Sequence, residues 1–552
     1  MAEQLENLEH RPAAPISPAR RYLKAAQQYP DFHEVQWESA PLLNKLYSST
    51  ARLPLSYARP DLNEDRLEST FSSAQFGQML ADIYGNVRLQ WTLTAIYNAH
   101  FAGTSMRPLD TKRKTFKLDL LRPVPSGGGL FPCELYLLID NFPASGAANG
   151  IYHYDAFHHA LDPIRQEEGH LSTLQAAMAE PGHARHAPVT FMFSCSFWKN
   201  AFKYGEFSYR LQCLDLGVVI AQSLEVARRY HMHGTINYQF YDDILNGLLA
   251  LDPLYESVYA VATFSFDHTP VSTLPAPGRQ AYQQSDTTGA VLGPAAQGTI
   301  TPGGSARSLA AWPLLAELHQ AALIHEGTGF PGTLPMPPLE LPGGVQFKLS
   351  RHVDDNPPDL LTGLRKRHSS RQFFMPGALT FSQFSRLLLA TNPDHISDIG
   401  EPLGFSRSIL IYCVVNNVSD LRPGIYCYVP ADSTLIAVHE VNMFYEMQKL
   451  LPAVAYRSIY HIGAHVFLVG SYEDGLQNYG DRWYRVQNME AGTMLQRIYL
   501  AAAALDLGCD TALAYPVEEM NHLLQLPAGL TTLAQVLLGR EWITGQYYDQ
   551  RL

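Results

Sequence analysis

The chain has 552 residues, of which 46% are hydrophobic and 17% are charged, a composition that predicts folded domains and excludes a disordered protein. The 40 Lys and Arg residues against 52 Asp and Glu residues give a formal net charge of −12. This balance argues against a nucleic-acid partner, because affinity for phosphates depends on positive charge.

The N-terminus carries acidic residues where a secretory signal needs basic ones, and no apolar run of about 18 residues occurs in the chain. We therefore expect a cytoplasmic protein without a membrane partner. The 6 cysteines form no Cys-x-x-Cys pair, which makes a disulfide scaffold or a structural zinc site a poor expectation.

Short apolar runs rich in aromatic and β-branched residues predict strands, and long apolar patterns between them predict helices. The strand-like runs are ELYLLI, VTFMFS, ILIYCVV and HVFLVG, and the long helical runs follow Gly217 and Gly492. The expected fold class is α+β, with helices packed on mixed sheets. The two long helices should be central and buried, against a sheet or against each other.

The first motif with chemical potential is RPVPSGGGLFPCELY, over Arg122–Tyr136. Three consecutive glycines carry no β-carbon, so the backbone can approach a flat or anionic ligand, to which exposed amides can donate. A plain tight turn before the strand ELYLLI explains the same pattern, and the motif alone does not separate the two interpretations.

Lys203 and Tyr204 follow in FKYGEFSYR. A lysine beside a tyrosine can transfer protons if the pair is partly buried. An exposed lysine next to a packing tyrosine is the alternative.

Residues 267–306 are rich in Pro, Gly, Ser, Thr and Gln and nearly free of charge, which predicts a flexible linker. A helical pattern begins near Leu309. Further on, LRKRHSSRQFF over Leu364–Phe374 places four cationic residues around two serines. This cluster suits a phosphate, although a solvated basic patch is the alternative.

The two sides of the linker repeat each other. GIYHYD at Gly150–Asp155 corresponds to GIYCYV at Gly424–Val429, and YGEFSYR at Tyr204–Arg210 corresponds to YGDRWYR at Tyr479–Arg485. The offsets are 274 and 275 residues, and a long apolar helical run follows in both halves. The lysine is not repeated, since Asn478 stands at its place. We therefore expect a tandem duplication.

These motifs, in this order and spacing, resemble the SagB-type (thiazoline/oxazoline) dehydrogenases of the nitroreductase-like FMN flavoprotein superfamily. The resemblance covers most of residues 35–266 and 307–552. It implies an N-terminal extension over 1–34, a nitroreductase-like domain over 35–266, the linker over 267–306, and a second such domain over 307–552.

The resemblance also implies a cofactor and its contacts. Members of the family bind FMN, and their Arg-x-Ser-x-Arg phosphate segment falls here on Arg367, Ser369 and Arg371. Arg540 is a further phosphate contact that the resemblance allows. The loop that contacts the flavin ring falls on Pro125, Ser126, Gly127 and Gly128. The Lys-Tyr pair that abstracts a proton in azoline-oxidising members falls on Lys203 and Tyr204.

Each half lacks what the other has. Near Ala58–Ser73 the first half has an acidic stretch instead of Arg-x-Ser-x-Arg, and at Glu401–Phe405 the second half has EPLGF instead of the Pro-Ser-Gly loop. Since the family places its flavin at a dimer interface, we expect an intramolecular pseudo-dimer with one composite FMN site. Two FMN per chain would contradict this.

The function that the resemblance implies is the oxidation of a peptide-derived thiazoline or oxazoline, or a similar bond, in natural-product biosynthesis. A base removes the Cα proton, a hydride passes to FMN, and O₂ takes the electrons. A peptide or carrier-bound substrate and a cyclodehydratase or peptide synthetase are the expected partners. The alternatives are an NAD(P)H-dependent reductase of nitro, quinone or enone groups, and a non-catalytic scaffold of a biosynthetic complex.

Overall fold

The structure is a computed structural model that describes most of the two halves. The described residues are 16–26, 35, 40–47, 51–58, 71–93, 116–166, 169–266, 307–349, 357–370, 374–392, 394–399, 408–430, 433–451, 459–541 and 547–549. Within these ranges, no helix combines the length and the apolar character that crossing a membrane requires.

The first half builds an eight-stranded sheet in the order β1-β6-β5-β4-β7-β9-β8-β12. Its strands are β1 (Leu53–Pro54), β4 (Cys133–Ile139), β5 (Gly150–Asp155), β6 (Ala160–Arg165), β7 (Val189–Ser196), β8 (Met232–Asn237), β9 (Glu256–Phe266) and β12 (Ile396–Ser397). β12 comes from the second half and pairs with β8 in parallel, whereas the other neighbours are antiparallel, so the sheet is mixed.

The second half builds an equivalent sheet in the order β10-β15-β14-β13-β16-β18-β11, with β17 also paired to β18. Its strands are β10 (Val345–Lys348), β11 (Phe374–Met375), β13 (Ile409–Val415), β14 (Gly424–Val429), β15 (Thr434–His439), β16 (Ile462–Gly470), β17 (Gly508–Thr511) and β18 (Thr531–Glu541). A smaller three-stranded sheet joins β2 (Arg88–Leu93) and β3 (Phe116–Leu121) of the first half to β19 (Tyr547–Asp549) near the C-terminus.

Helices cover both sheets. They are α1 (Pro18–Ala26), α2 (Ser73–Tyr84), α3 (His170–Ala177), α4 (Trp198–Tyr204), α5 (Ser208–Arg229), α6 (Asp242–Leu248), α7 (Pro313–Ala321), α8 (Leu360–Lys366), α9 (Phe381–Ala390), α10 (Phe444–Leu450), α11 (Tyr472–Tyr479), α12 (Arg482–Ala504) and α13 (Val517–Leu523). α2 and α9 begin with matching capping boxes, in which a Ser or Thr side chain and a Gln side chain each satisfy a free backbone amide.

The long helices α5 and α12 form the centre of the molecule and pack directly against each other. A β-carbon added to Gly217 would lie 1.8 Å from the Met489 carbonyl oxygen, and one added to Gly492 would lie 2.3 Å from the Leu214 carbonyl oxygen. The two backbones therefore touch at this glycine pair, which joins the halves.

Equivalent residues meet along this central contact. The rings of Tyr209 and Tyr484 stack with centroids 5.8 Å apart, and Gln496 Nε2 donates to Gln222 Oε1 at 2.6 Å. Contacts between residues about 275 positions apart are what a pseudo-two-fold axis between the helices produces. The predicted fold class is confirmed: two α+β units form an intramolecular pseudo-dimer.

The predicted strands and both long helices are also confirmed, but one detail was wrong. The sequence indicated that the long helices begin after Gly217 and Gly492, whereas they begin at Ser208 and Arg482. Glycine is a poor helix former, so it suggests a helix boundary, but here close helix packing outweighs that local preference.

Two predictions lie outside the described residues. The linker over 267–306 falls entirely there, as does most of the N-terminal extension. The domain boundaries that depend on them stay predictions.

Candidate functional site

The three glycines form a tight turn whose backbone is partly open to solvent. Gly127–Gly129 make a single 3₁₀ turn between Ser126 and β4, and Gly128 and Gly129 adopt left-handed φ values of 68° and 69°. Both are exposed, and nothing lies within 4 Å of a β-carbon added to Gly129. The structure thus contains the tight turn before ELYLLI, and the backbone of Gly128 and Gly129 in this turn is accessible from solvent.

Asp215 of α5 fixes this loop from beneath. Its carboxyl oxygen Oδ2 accepts a hydrogen bond from the Ser126 hydroxyl at 2.6 Å, and both carboxyl oxygens lie 3.1 Å from the Gly127 amide nitrogen, which donates to them. The Ser126 oxygen in turn accepts from the Phe131 amide at 2.9 Å, which closes the loop. Burial raises the pKa of Asp215 to about 7, against the hydrogen bonds from Ser126 and Gly127, which lower it.

Lys203 and Tyr204 lie at the C-terminal end of α4, against the glycine loop of their own half. A β-carbon added to Gly128 would lie 2.5 Å from the Tyr204 hydroxyl oxygen and 3.1 Å from Lys203 Nζ. Lys203 Nζ lies 4.9 Å from the centroid of the Tyr204 ring. The structure therefore brings the Lys-Tyr pair and the glycine loop together.

The basic segment of the second half reaches the same place. Arg367 Nη2 donates to the carbonyl oxygen of Arg122, three residues before Pro125, at 3.3 Å. Arg88 of β2 in turn donates to the carbonyl oxygens of Arg367 and Arg365. Arg367 of the second half thus contacts the segment of the first half that leads into the glycine loop, and the composite FMN site stays a prediction.

The other predicted phosphate contacts differ in where they lie. Ser369 is half-buried beside Tyr499 of α12. Arg371 lies outside the described residues. Arg540 lies against Gly377, where an added β-carbon would meet its Cδ at 2.7 Å.

The neighbour of Arg540 on β18 faces the basic segment instead. Glu541 accepts a hydrogen bond from Ser370, and its Oε1 lies 2.5 Å from His368 Nε2. Since successive side chains of a strand point to opposite faces, Arg540 points away from this group. Its role as a phosphate contact stays a prediction.

A buried ionic group lies behind the loop on β4. Lys199 Nζ donates to the carbonyl oxygens of Leu43 at 2.8 Å and Phe131 at 3.3 Å, and it pairs with Glu134. Burial would raise the pKa of Glu134, but the charge of Lys199 and the contact with His153 outweigh it and hold that pKa well below its usual range. Lys199 therefore supports Phe131, whose φ of 48° is unusual for a residue other than glycine.

Sequence reasoning missed three of these residues. Asp215 was visible only as part of the LDLG step, and Lys199 and Arg88 gave no signal, because their partners are distant in sequence. The one indication for Asp215 in the sequence was a charged residue inside an otherwise apolar stretch.

The residues present suit a flat cofactor with an anionic group. Gly128 and Gly129 offer a surface without side chains, the Lys203-Tyr204 pair borders it, and the cation Arg367 approaches from the second half. A bare backbone surface accommodates a planar ring, and an arginine fork matches a phosphate.

The chain resembles a known protein family in one segment and a solved structure in its overall fold. Residues 364–540 match the model of the Nitroreductase family. The crystal structure of a candidate nitroreductase from Anabaena variabilis superimposes on 95% of this chain and 100% of its own, with a TM-score of 0.72 and 22% identity. The segment over residues 364–540 thus resembles the Nitroreductase family, and the chain as a whole shares the fold of that solved structure.

Two curated relatives are named for the processing of trifolitoxin and of microcin B17. The chain is 33% identical over 141 residues to the trifolitoxin-processing protein TfxB of Rhizobium leguminosarum bv. trifolii, which covers 25% of this chain and 38% of TfxB. It is 26% identical over 135 residues to the microcin B17-processing protein McbC of Escherichia coli, which covers 24% of this chain and 49% of McbC. The matches thus span less than half the length of either relative. The relation to such proteins that the sequence motifs implied is confirmed.

The microcin synthetase of that bacterium has been solved as an McbBCD complex with truncated pro-MccB17 bound. It gives a TM-score of 0.26 at 17% identity, over 47% of this chain and 85% of that chain.

Proposed function

We propose that the chain is an FMN-dependent dehydrogenase that oxidises an azoline ring, or a similar bond, in a peptide-derived substrate. The observation that carries the proposal is the contact of Lys203 and Tyr204 with the glycine loop, where a proton acceptor and a bare backbone surface adjoin.

FMN would be held by both halves. Pro125, Ser126, Gly127 and Gly128 would face the ring from the first half. From the second half, Arg367 and Ser369, with Arg371, would bind the phosphate. When bound, FMN would supply the acceptor for a hydride, chemistry that no side chain provides.

The protein's own residues would handle the proton. Oxidation of an azoline removes a proton from Cα together with a hydride, and Lys203 or Tyr204 would take the proton. Both side chains adjoin the exposed glycine backbone, so a substrate bound over that surface would lie beside a proton acceptor.

The substrate class and the partners are inferred from the relatives. TfxB and McbC are named for the processing of trifolitoxin and microcin B17, which supports a peptide or carrier-bound substrate here. A cyclodehydratase or peptide synthetase that forms the ring is the partner that this chemistry requires.

The reverse reaction is the second candidate. The match of residues 364–540 to the Nitroreductase family favours an NAD(P)H-dependent reductase of nitro, quinone or enone groups. In that case the Lys203-Tyr204 pair would donate a proton instead of accepting one.

Azoline oxidation and NAD(P)H-dependent reduction are distinguished by assaying the purified holoprotein with a thiazoline-containing peptide and with a nitroaromatic compound. We expect loss of one H₂ per ring when a thiazoline-containing peptide is incubated in air and examined by mass spectrometry. We also expect Lys203→Ala to lower this rate about 100-fold or more while FMN content is unchanged. Asn478→Ala, at the matching place in the second half, is the control and should retain full activity.

Steady NADPH consumption with a nitroaromatic, and no azoline oxidation, would establish the reductase instead. A colourless protein that takes up no FMN would exclude both enzymes.

A further inference from the structure

Arg210 is a buried cation at the contact between the halves. It lies on α5, is 5% exposed, and its Nη2 donates to the carbonyl oxygens of Thr532 at 3.1 Å and Leu533 at 2.7 Å. Its Nε has no hydrogen-bond acceptor among the described residues, and no carboxylate of those residues forms an ion pair with it.

A guanidinium stays charged at any pH that a folded protein tolerates, so its burial is costly where neither an anion nor a full set of hydrogen-bond acceptors surrounds it. The side chains of Tyr472, Tyr484 and Tyr515 surround Arg210, but they supply lone pairs and no charge. Burial raises the pKa of Tyr472 to about 12 and that of Tyr484 well above its ordinary value, so both phenols are neutral at physiological pH.

The other half shows how the same arginine is neutralised. Arg485 of α12 is the pseudo-symmetric counterpart of Arg210, and its Nη2 lies 2.9 Å from Oδ1 of Asp242, the first residue of α6. Burial raises the pKa of Asp242, but the charges of Arg482 and Arg485 outweigh it, so the net pKa is lowered and the carboxylate is ionised.

At the matching position the second half has Val517 in place of that aspartate. Val517 is the first residue of α13, the counterpart of α6, and each of these helices is followed by an 11-residue strand, β9 after α6 and β18 after α13. The arginine has thus been kept in both halves, whereas the carboxylate is present in only one of them.

A cavity occupies the place of the missing carboxylate. It is lined by Arg210, Val517, Tyr472, Tyr484, Thr531 and Thr532. It has room for about one water-sized occupant, which admits a small ion but not a peptide or a nucleotide.

We propose that the Arg210 cavity binds a small monatomic anion, of the size of chloride, which takes the place that the Asp242 carboxylate holds beside Arg485. The bound ion neutralises Arg210 and ties α5 to β18 and α13 across the contact between the halves. This site is separate from the proposed redox function and does not depend on it.

Thermal unfolding of the full chain tests the proposal. At constant ionic strength, chloride should raise Tm by about 2 °C over gluconate, which is too large for the cavity, and the rise should saturate with concentration. Constant ionic strength removes general screening from the comparison. Equal Tm values in chloride and gluconate would overturn the proposal.

Arg210→Met should abolish the difference between the anions. Arg165→Met is the matched control, because Arg165 is also buried and donates to backbone carbonyls, those of Leu248 and Gly247, but lies outside the cavity. Arg165→Met should lower Tm equally in chloride and in gluconate, so that the difference in Tm between the two salts is retained. Retention of this difference in Arg210→Met would contradict the assignment.

Val517→Asp should restore the arrangement of the other half. We expect a Tm that no longer depends on the anion and is at least that of the wild type in saturating chloride. If this variant does not fold, bromide soaked into crystals of the wild type decides: an anomalous peak beside Arg210 supports the site, and its absence there overturns it.

Discussion

At the scale of single residues, Asp215 combines two opposing demands. The Ser126 hydroxyl and the Gly127 amide donate to its carboxyl group, which suits the ionised form. Burial disfavours that form and raises the pKa to about 7. The titratable groups that face Asp215 are Tyr84 of α2, Cys133 of β4 and Cys195 of β7, and burial keeps each of them neutral by raising its pKa.

The sign of the resulting pH dependence follows from linkage. In the unfolded chain an aspartate has a pKa of about 3.9, whereas the pKa of Asp215 in the folded chain is about 7. Proton binding by Asp215 therefore stabilises the fold fully below about pH 3.9, and this stabilisation is lost as the pH rises through about 7. Asp215→Asn is neutral at every pH and can still accept from Ser126. We therefore expect the free energy of unfolding of Asp215→Asn, relative to that of the wild type, to rise by roughly 2 kcal/mol as the pH is raised from 5 to 8, measured by urea unfolding.

Glu490→Gln provides the comparison, since Glu490 is the buried counterpart on α12 and contacts Tyr238 and His395 instead of a glycine loop. Because Glu490 pairs with His395, this variant should show no such gain. A constant difference between Asp215→Asn and the wild type across this pH range would contradict the role given to Asp215.

At the scale of elements, the crossing of α5 and α12 depends on two glycines. Gly217→Ala would drive a β-carbon to 1.8 Å from the Met489 carbonyl oxygen, a contact that the backbones relieve only by moving apart. We expect a loss of about 3 kcal/mol in the free energy of unfolding, measured by denaturant titration, because overpacking of a buried contact costs about this much.

Gly247→Ala is the control for this prediction. Gly247 lies within helix α6, and a β-carbon there would meet nothing within 4 Å, so the same substitution should stabilise by about 0.5–1 kcal/mol through the higher helix propensity of alanine. Similar effects of the two variants would show that the backbone contact is not what requires Gly217.

The elements that sequence predicted best are those with a repeated local pattern. The runs at Gly150–Asp155 and Gly424–Val429 are equivalent strands, and the shared YG-x-x-x-YR motif marks the entry to the long helices in both halves. Periodicity and repetition are visible in one dimension, so fold class and duplication could be predicted before any contact was known.

The parts that sequence could not predict depend on contacts between distant residues. Glu134 lies in β4, a strand that is buried throughout, where a charged residue is not expected. Its partner Lys199 comes from helix α4, 65 residues further along the chain. The matching strand of the second half has Leu410 at that place and is apolar there. Ion pairs between distant residues leave no periodic pattern in a sequence, so the Lys199–Glu134 pair behind the glycine loop could be found only in the structure.

At the scale of the whole molecule, the two halves share a fold but contribute different residues to the candidate site. The first half brings the glycine loop and the Lys-Tyr pair, and the second brings Arg367, which reaches across to the carbonyl oxygen of Arg122. Fusion of two copies removes the constraint that both interface sites stay identical, so each half can specialise. The segments whose loss should disable the second site, near Ala58–Ser73 and at Glu401–Phe405, lie largely outside the described residues, so the single site stays a prediction.

Flavin stoichiometry tests that prediction in the intact chain. Titration of FMN into the apoprotein, followed by flavin fluorescence, should saturate at one FMN per chain. Arg367→Met should weaken this binding at least 10-fold, since a charge-assisted contact to a phosphate is worth about 1.5–3 kcal/mol. Lys366→Met is the neighbouring control: Lys366 is half exposed and pairs with Asp506, so its removal should leave FMN affinity unchanged. Saturation at two FMN per chain would contradict the single composite site, and equal losses in the two variants would show that Arg367 acts only through general charge.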